Sequence, residues 1–149
     1  MPYQYSDALV DCKPAYGVNV ASITAATTYD NVQQTMAEVD RLGYGTLQVG
    51  IHYLTTLAVN KTLKYSMVIH DSDTSGSGFA LFKAVTTDTT ILTGLQTAAT
   101  GAVFQNVDLS GAKRYVKALV STDLSASGTD TVQLYLGYNL GGSETLPVS

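Results

Sequence analysis

The residues of this chain best suited to chemistry stand together at His70-Asp71-Ser72-Asp73, where an imidazole and two carboxylates fall within four positions. Oxygen and nitrogen donors so close in sequence are what a divalent cation takes. A calcium loop also needs a bidentate Glu at fixed spacing to close it, and none follows. No metal site is therefore assigned. The expected reading is a strand end turned by its Asp side chains, which bond nearby backbone ahead of Ser or Gly. His52 and His70 are the only two histidines. If their strands form a hairpin closing near Leu54–Thr62, His52 stands opposite Lys64 and His70 opposite Thr46. At ~3.3 Å per residue the two imidazoles then share a face roughly 20 Å apart. A common site is not expected, and each is read as a solvent-facing or interface residue.

Acyl transfer would need a Ser or Cys with a histidine base and an acid to orient it. Cys12 is the sole cysteine, so no internal disulfide forms, and it is read as a small, chemically quiet residue of a protein made in a reducing cytoplasm. No G-x-S-x-G elbow is present. Paired carboxylates could hydrolyse a glycoside, but Glu38 and Glu144 are the only glutamates, neither lies in a clear strand, and there is no Trp to stack a sugar. Gly76-Ser77-Gly78 lacks the strand-to-helix setting of a phosphate cradle and reads as a hairpin connection. The expectation is a protein that is not an enzyme, with no catalytic residue, cofactor or small-molecule substrate.

The elements that carry these residues follow from composition and periodicity. A chain of 149 residues fits one domain that buries about 70% of its unfolded surface. Its hydrophobic share is 45%, which supports a core without oligomerisation, and charged residues make up only 13%, against an average of about 25%. Thr, Ser, Asn and Gln cover the surface instead. Neutral polar groups lose little on desolvation compared with ions, so broad contact with other subunits is tolerated. Twelve acids against eight bases leave a net charge of −4, with no basic run beyond Lys113-Arg114. A nucleic-acid footprint is therefore missing. The apolar runs fall far short of the ~20 residues that span a bilayer, and the opening MPYQYSDALVDCK lacks a cationic-then-apolar pattern, so neither a membrane role nor a secretory signal is expected.

Pro2, Pro14 and Pro147 are the only prolines, and the long stretch between them suits strands that donate every backbone N–H. Along 44–54, Leu47, Val49, Ile51 and Tyr53 alternate with Thr46, Gln48, Gly50 and His52. Along 61–71, Leu63, Tyr65, Met67 and Ile69 alternate with Thr62, Lys64, Ser66 and His70. Further strands are expected at Phe79–Val85, Thr89–Leu92, Val103–Leu109 and Arg114–Thr122, and through Val132, Leu134, Leu136 and Tyr138. Gly, Ser and Asp turns separate them. The fold class is all-β, a jelly roll or β-sandwich of about seven to eight strands. One segment is ambiguous: in Asn31–Leu42 the residues Val32, Met36, Val39 and Leu42 recur at helical spacing behind an Asp30 cap, so a short helix competes with an extended path.

The first thirty residues differ from the rest. They hold Tyr3, Tyr5, Tyr16 and Tyr29, two of the three prolines and no long alternation. The expected organisation is an extended N-terminal arm over 1–30 and a single sandwich over 31–149. The four tyrosines are the candidate partner interface, because Tyr offers large contact area at low rotamer cost. Deleting Met1–Ala15 is expected to leave the β-fold intact and to weaken partner contact.

The order of motifs carries a resemblance. Asp40-Arg-Leu-Gly-Tyr-Gly45 leads into the strand Thr46–Tyr53, and Tyr65–His70 ends in the loop Asp71–Gly78. Gly111-Ala-Lys-Arg-Tyr-Val-Lys-Ala-Leu-Val120 is followed after a turn by Thr131-Val-Gln-Leu-Tyr-Leu-Gly-Tyr138. From about Asp40 to Leu140 this layout resembles the Bbp16-like capsid cement proteins of tailed bacteriophages. The resemblance implies a jelly roll on the outer capsid surface of a virion, a homotrimer that fastens neighbouring major capsid proteins. The competing expectation is a virion module that binds a glycan or host receptor, with Asp71 and Asp73 in its site.

Overall fold

A computed structural model describes residues 13–15, 21–24, 32–94, 98–125 and 130–143. They form ten strands: β1 (Lys13–Ala15), β2 (Ala21–Thr24), β3 (Val32–Thr35), β4 (Val39–Asp40), β5 (Tyr44–Thr56), β6 (Thr62–Ser72), β7 (Ala80–Thr93), β8 (Ala98–Asp108), β9 (Tyr115–Leu124) and β10 (Thr131–Ser143). One antiparallel sheet runs β1-β10-β5-β8, with β2 also on β10. The other runs β3-β9-β6-β7, with β4 also on β9.

The pairing is nested. β6 pairs β7, β5 pairs β8, β3 and β4 pair β9, and β1 and β2 pair β10. This is one long hairpin rolled so that alternate layers fall in opposite sheets, which makes the sandwich a jelly roll. The expected all-β class and sandwich hold. The segments proposed at Phe79–Val85 and Thr89–Leu92 are one strand, β7, which bends where Asp88 takes a positive φ of 46°.

The hairpin considered for the two long alternating strands does not form. β5 and β6 lie in different sheets, and the connection after β5 carries the chain across the core with Leu57 buried in it. Two strands with matched apolar faces are served as well by facing each other across a sandwich as by lying side by side. His52 therefore pairs with Tyr135 and Ala102, and His70 with Lys117 and Leu81.

The ambiguous segment is extended. β3 ends at Thr35 opposite Leu119, and β4 resumes at Val39 opposite Val116. Three residues thus face two on β9, and this bulge turns both Met36 and Val39 into the core. Leu42, the next position of the helical pattern, is 68% exposed. Within the stretch read as an arm, the backbone of Lys13–Ala15 pairs with Leu140–Tyr138 and that of Ala21–Thr24 with Thr131–Leu134. A deletion through Ala15 therefore removes a strand. Tyr3, Tyr5, Tyr16 and Tyr29, like Cys12, lie outside the described residues.

Leu47, Val49, Ile51, Leu63, Met67, Ile69, Val120, Leu134 and Leu140 fill the space between the sheets. Two tyrosines stitch it. The Tyr65 hydroxyl in β6 accepts from Gln105 Nε2 of the other sheet at 2.6 Å. The Tyr138 hydroxyl in β10 accepts from the backbone N–H of Ala118 in β9 at 2.6 Å.

Candidate interaction surface

The residues with chemical potential are drawn into a clasp of loops at one end of the sandwich. Arg41 follows β4, where the edge strand ends. Its Nε donates to Lys113 O at 2.9 Å, one terminal nitrogen to Tyr44 O at 3.0 Å and the other to Ala112 O. The loop before β9 is thereby fastened to the entry of β5. Asp40 accepts from Leu42 N at 3.0 Å and grips Arg114 with both carboxylate oxygens. The hydrogen bond to Asp40, then its charge, holds the Arg114 guanidinium more firmly protonated than usual. The two motifs Asp40–Gly45 and Gly111–Val120, far apart in sequence, are thus the two halves of one contact.

The acidic loop belongs to the same clasp. Asp71 is buried and accepts from Lys113 N at 2.9 Å, and Asp73 pairs with Lys113 Nζ at 3.4 Å. The turn expected from the Asp side chains is made by Ser72 instead: its hydroxyl accepts from Thr74 N at 3.0 Å and donates to Ser77 O at 2.6 Å. Glu38 reaches in from the bulge to accept from Ser75 Oγ and, at 2.8 Å, from Gly76 N. The Ser75 hydroxyl, then the Gly76 N–H, holds the Glu38 carboxyl below its ordinary value. Among the described residues no three His, Cys, Asp or Glu side chains gather as a metal would need. Each carboxylate at this end is engaged in holding a loop, so the clasp is architectural. Asp71, buried and bonded, is not available to a glycan.

The open surface lies elsewhere, on the outer face of the β10-β5-β8 sheet. Alternation on these strands sends Leu, Val and Ile inward and leaves six rows outward: Thr131-Thr56-Ala98, Gln133-Leu54-Thr100, Tyr135-His52-Ala102, Gly137-Gly50-Phe104, Asn139-Gln48-Asn106 and Gly141-Thr46-Asp108. Among them Asp108, at one corner, is the single charged residue. The outer face of the other sheet, by contrast, carries Lys64 against Asp123 and His70 against Lys117.

Phe104 is 56% exposed and lies over Gly50, where an added Cβ would stand 3.2 Å from its ring. The His52 ring meets it in a T-shaped contact, at 89° with centroids 5.6 Å apart. Beside this aromatic row an open cavity of about 260 Å³ is lined by Thr46, Leu47, Gln48, Asn106, Asn139 and Gly141. Gln48 Nε2 donates to Asn106 Oδ1 at 2.9 Å across it. The sequence marked His52 as a surface strand residue, and that is its position. It did not mark Phe104, Asn106 or Asn139, because their neighbours are set by pairing between distant strands.

The strand bordering this face is also distinctive. From Ala98 to Val107, β8 has no charged residue, and its eleven pairs with β5 run without a register shift. β7, the corresponding edge of the other sheet, has four register irregularities and carries Lys83 and Asp88. Charges and bulges guard a sheet edge against pairing with another chain. Among the described residues β7 is guarded and β8 is not.

No protein-family pattern matches the chain, and no curated relative does. Among solved structures it is similar to a chain of the T13 particle of infectious bursal disease virus, with a TM-score of 0.52 at 15% identity over 89% of this chain and 32% of that one. A chain from the Gx strain of the same virus gives 0.48 at 14% identity, covering 87% and 32%. The K3 cleaved adhesin domain of Lys-gingipain from Porphyromonas gingivalis W83 gives 0.45 at 13% identity, covering 82% and 74%. The fold is a viral capsid-like β-sandwich. The chain spans about a third of the length of the viral chains it matches.

Proposed function

We propose that this chain is a structural protein of a virion: a cement protein that sits as a homotrimer on the outer surface of a bacteriophage head and fastens neighbouring major capsid proteins. It works by contact and carries out no catalysis. The observation that carries this reading is the jelly roll with one long, regular edge that has no charged residue from Ala98 to Val107. A strand such as β8 offers unpaired backbone groups to a neighbour, and a chain built for assembly can leave it open where a monomer must guard it. The low surface charge supports the same reading, since neutral polar groups are cheap to bury against another subunit.

The mechanism is linkage. A protein that binds the assembled lattice more tightly than separated subunits stabilises the lattice by that difference. Three copies at one junction act at high effective concentration, so modest contacts sum to lasting attachment. Tyr3, Tyr5, Tyr16 and Tyr29 are assigned to this contact as a proposal.

Light scattering of the purified chain and co-sedimentation with expanded capsids test the reading. A trimer that pellets with capsids is expected, and the double variant Ala98→Lys with Thr100→Lys, which guards β8, should weaken self-association or attachment. Removing Met1–Cys12, which spares β1, should weaken attachment and leave the β-sheet circular dichroism unchanged. A chain that stays monomeric and never pellets with capsids overturns the proposal.

A further inference from the structure

We infer that the outer face of the β10-β5-β8 sheet is a binding site for a neutral oligosaccharide, centred on Phe104 and the amides of Gln48, Asn106 and Asn139. Three features of the face select this ligand class. The first is its charge. Of its eighteen outward positions on the three strands only Asp108, at the corner, is an Asp, Glu, Lys or Arg, so no Lys or Arg stands there to take a phosphate, a sulfate or a sialic acid. Asp108 is moreover engaged locally, accepting from Ser110 N at 2.9 Å.

The second is the ring. Phe104 is propped on a glycine rather than sunk among side chains, and the T-shaped contact with His52 fixes its orientation. A flat apolar surface presented in this way matches the C–H face of a pyranose, and Tyr135, 41% exposed, lies beyond His52 in the adjacent row. The third is the amide row. Gln48 and Asn106 bond each other at 2.9 Å and keep further donors and acceptors turned to the cavity. Asn139 sits beside Gln48 in register. Adjacent rows on one face of a strand are about 7 Å apart, so a sugar stacked on Phe104 places its hydroxyls over the amide row. Primary amides donate and accept at once, as vicinal hydroxyls require. The cavity of about 260 Å³ approaches the lower end of small-ligand sites, roughly 300 Å³. Its open form suits a chain of sugars that lies across the sheet.

The site is independent of the acidic loop and of the β8 edge. Pairing at that edge would extend the sheet sideways and leave its face open.

The test uses the full chain, free of capsids, on an array of neutral oligosaccharides (maltohexaose, cellohexaose and mannose and galactose oligomers) beside sialylated and sulfated glycans. Titration calorimetry then measures the best neutral binder. Retention of at least one neutral oligosaccharide is expected. Phe104→Ala should weaken it by about tenfold and Gln48→Ala by about three- to tenfold, whereas Phe104→Tyr, which keeps the ring, and Asp73→Ala should leave it within about twofold. Circular dichroism confirms that each variant is folded. No binding to any neutral oligosaccharide at millimolar concentration, binding of anionic glycans only, or full affinity in a folded Phe104→Ala chain overturns the inference. Co-sedimentation of Phe104→Ala with capsids separates it from the assembly reading: attachment should be unchanged, and its loss would make this face a protein-docking surface instead.

Discussion

Replacing Tyr138 with Phe removes one oxygen from the core and nothing else. In the native chain that oxygen accepts the backbone N–H of Ala118 at 2.6 Å, and both residues are buried, Tyr138 at 6% exposure and Ala118 at 0%. The variant leaves the Ala118 donor without a partner where water cannot reach, at a cost of about 1–3 kcal/mol. For a domain of this size that corresponds to a fall in Tm of about 2–12 °C. Tyr65→Phe is the control: its partner, the Gln105 side chain, is only half-buried and can turn to water, so the loss should be about 1 kcal/mol. The same tyrosine predicts a pH dependence. Burial raises the Tyr138 hydroxyl well above the ordinary value near 10. Its contribution is therefore complete below pH 10 and declines as pH rises, because the unfolded chain loses the proton while the folded one keeps it. The decline is at most about 1.4 kcal/mol per pH unit. Denaturant titrations of wild type and Tyr138→Phe from pH 8 to 11 should converge as pH increases. A variant that melts within about 1 °C of wild type at pH 7, or a gap that does not narrow above pH 10, would refute the reasoning.

Three further outcomes follow from the loops and the crossing. Arg41→Ala forfeits three bonds to backbone carbonyls and should cost about 1–3 kcal/mol by urea denaturation, against a clearly smaller loss for Arg114→Ala, whose ion pair with Asp40 is half-exposed. Because the Glu38 carboxyl is held below its ordinary value, its grip on Ser75 and Gly76 is present at neutral pH and lost as pH falls below the unfolded value near 4.5. Hydrogen-exchange protection at Gly76 should drop between pH 6 and 3 in wild type and not in Glu38→Gln. Gly94→Ala would press a methyl group into Leu57 and to 2.7 Å from Ala58 O. A loss of about 1–3 kcal/mol is expected as a shift in the denaturation midpoint with an unchanged slope.

The sandwich was legible because the apolar residues of its central strands follow a two-residue period: Leu47, Val49 and Ile51, or Leu63, Tyr65 and Met67, can share a face only in an extended chain. The partners of those strands were not legible. Period two says which face is buried and leaves open whether the next strand lies alongside or opposite, so it does not decide whether His52 and His70 share a hairpin; they occupy opposite outer faces. The segment around Met36 and Val39 is open to a helical or an extended reading for a definable reason: a bulge inserts one residue and makes positions three apart point the same way, as a helical turn does. The acidic loop looked like the richest chemistry in the chain, yet Asp71 answers a backbone N–H that arrives from forty residues further on. The aromatic and amide rows of the outer face assemble from three strands far apart in sequence. No local pattern could reveal them.

The nested pairing imposes an order on synthesis. β10 is the interior strand on which β1, β2 and β5 all meet, and it is the last of the ten to leave the ribosome. Until it emerges, Leu47, Val49 and Ile51 lie in a half-built layer, and β1 and β2 have nothing to join. Closure of the roll waits on pairings between the two ends of the chain, the kind of contact that forms slowly because so much loop entropy is surrendered first. A product truncated before β10 therefore lacks the middle of a sheet rather than a tail, and keeps of it only the β5-β8 pair.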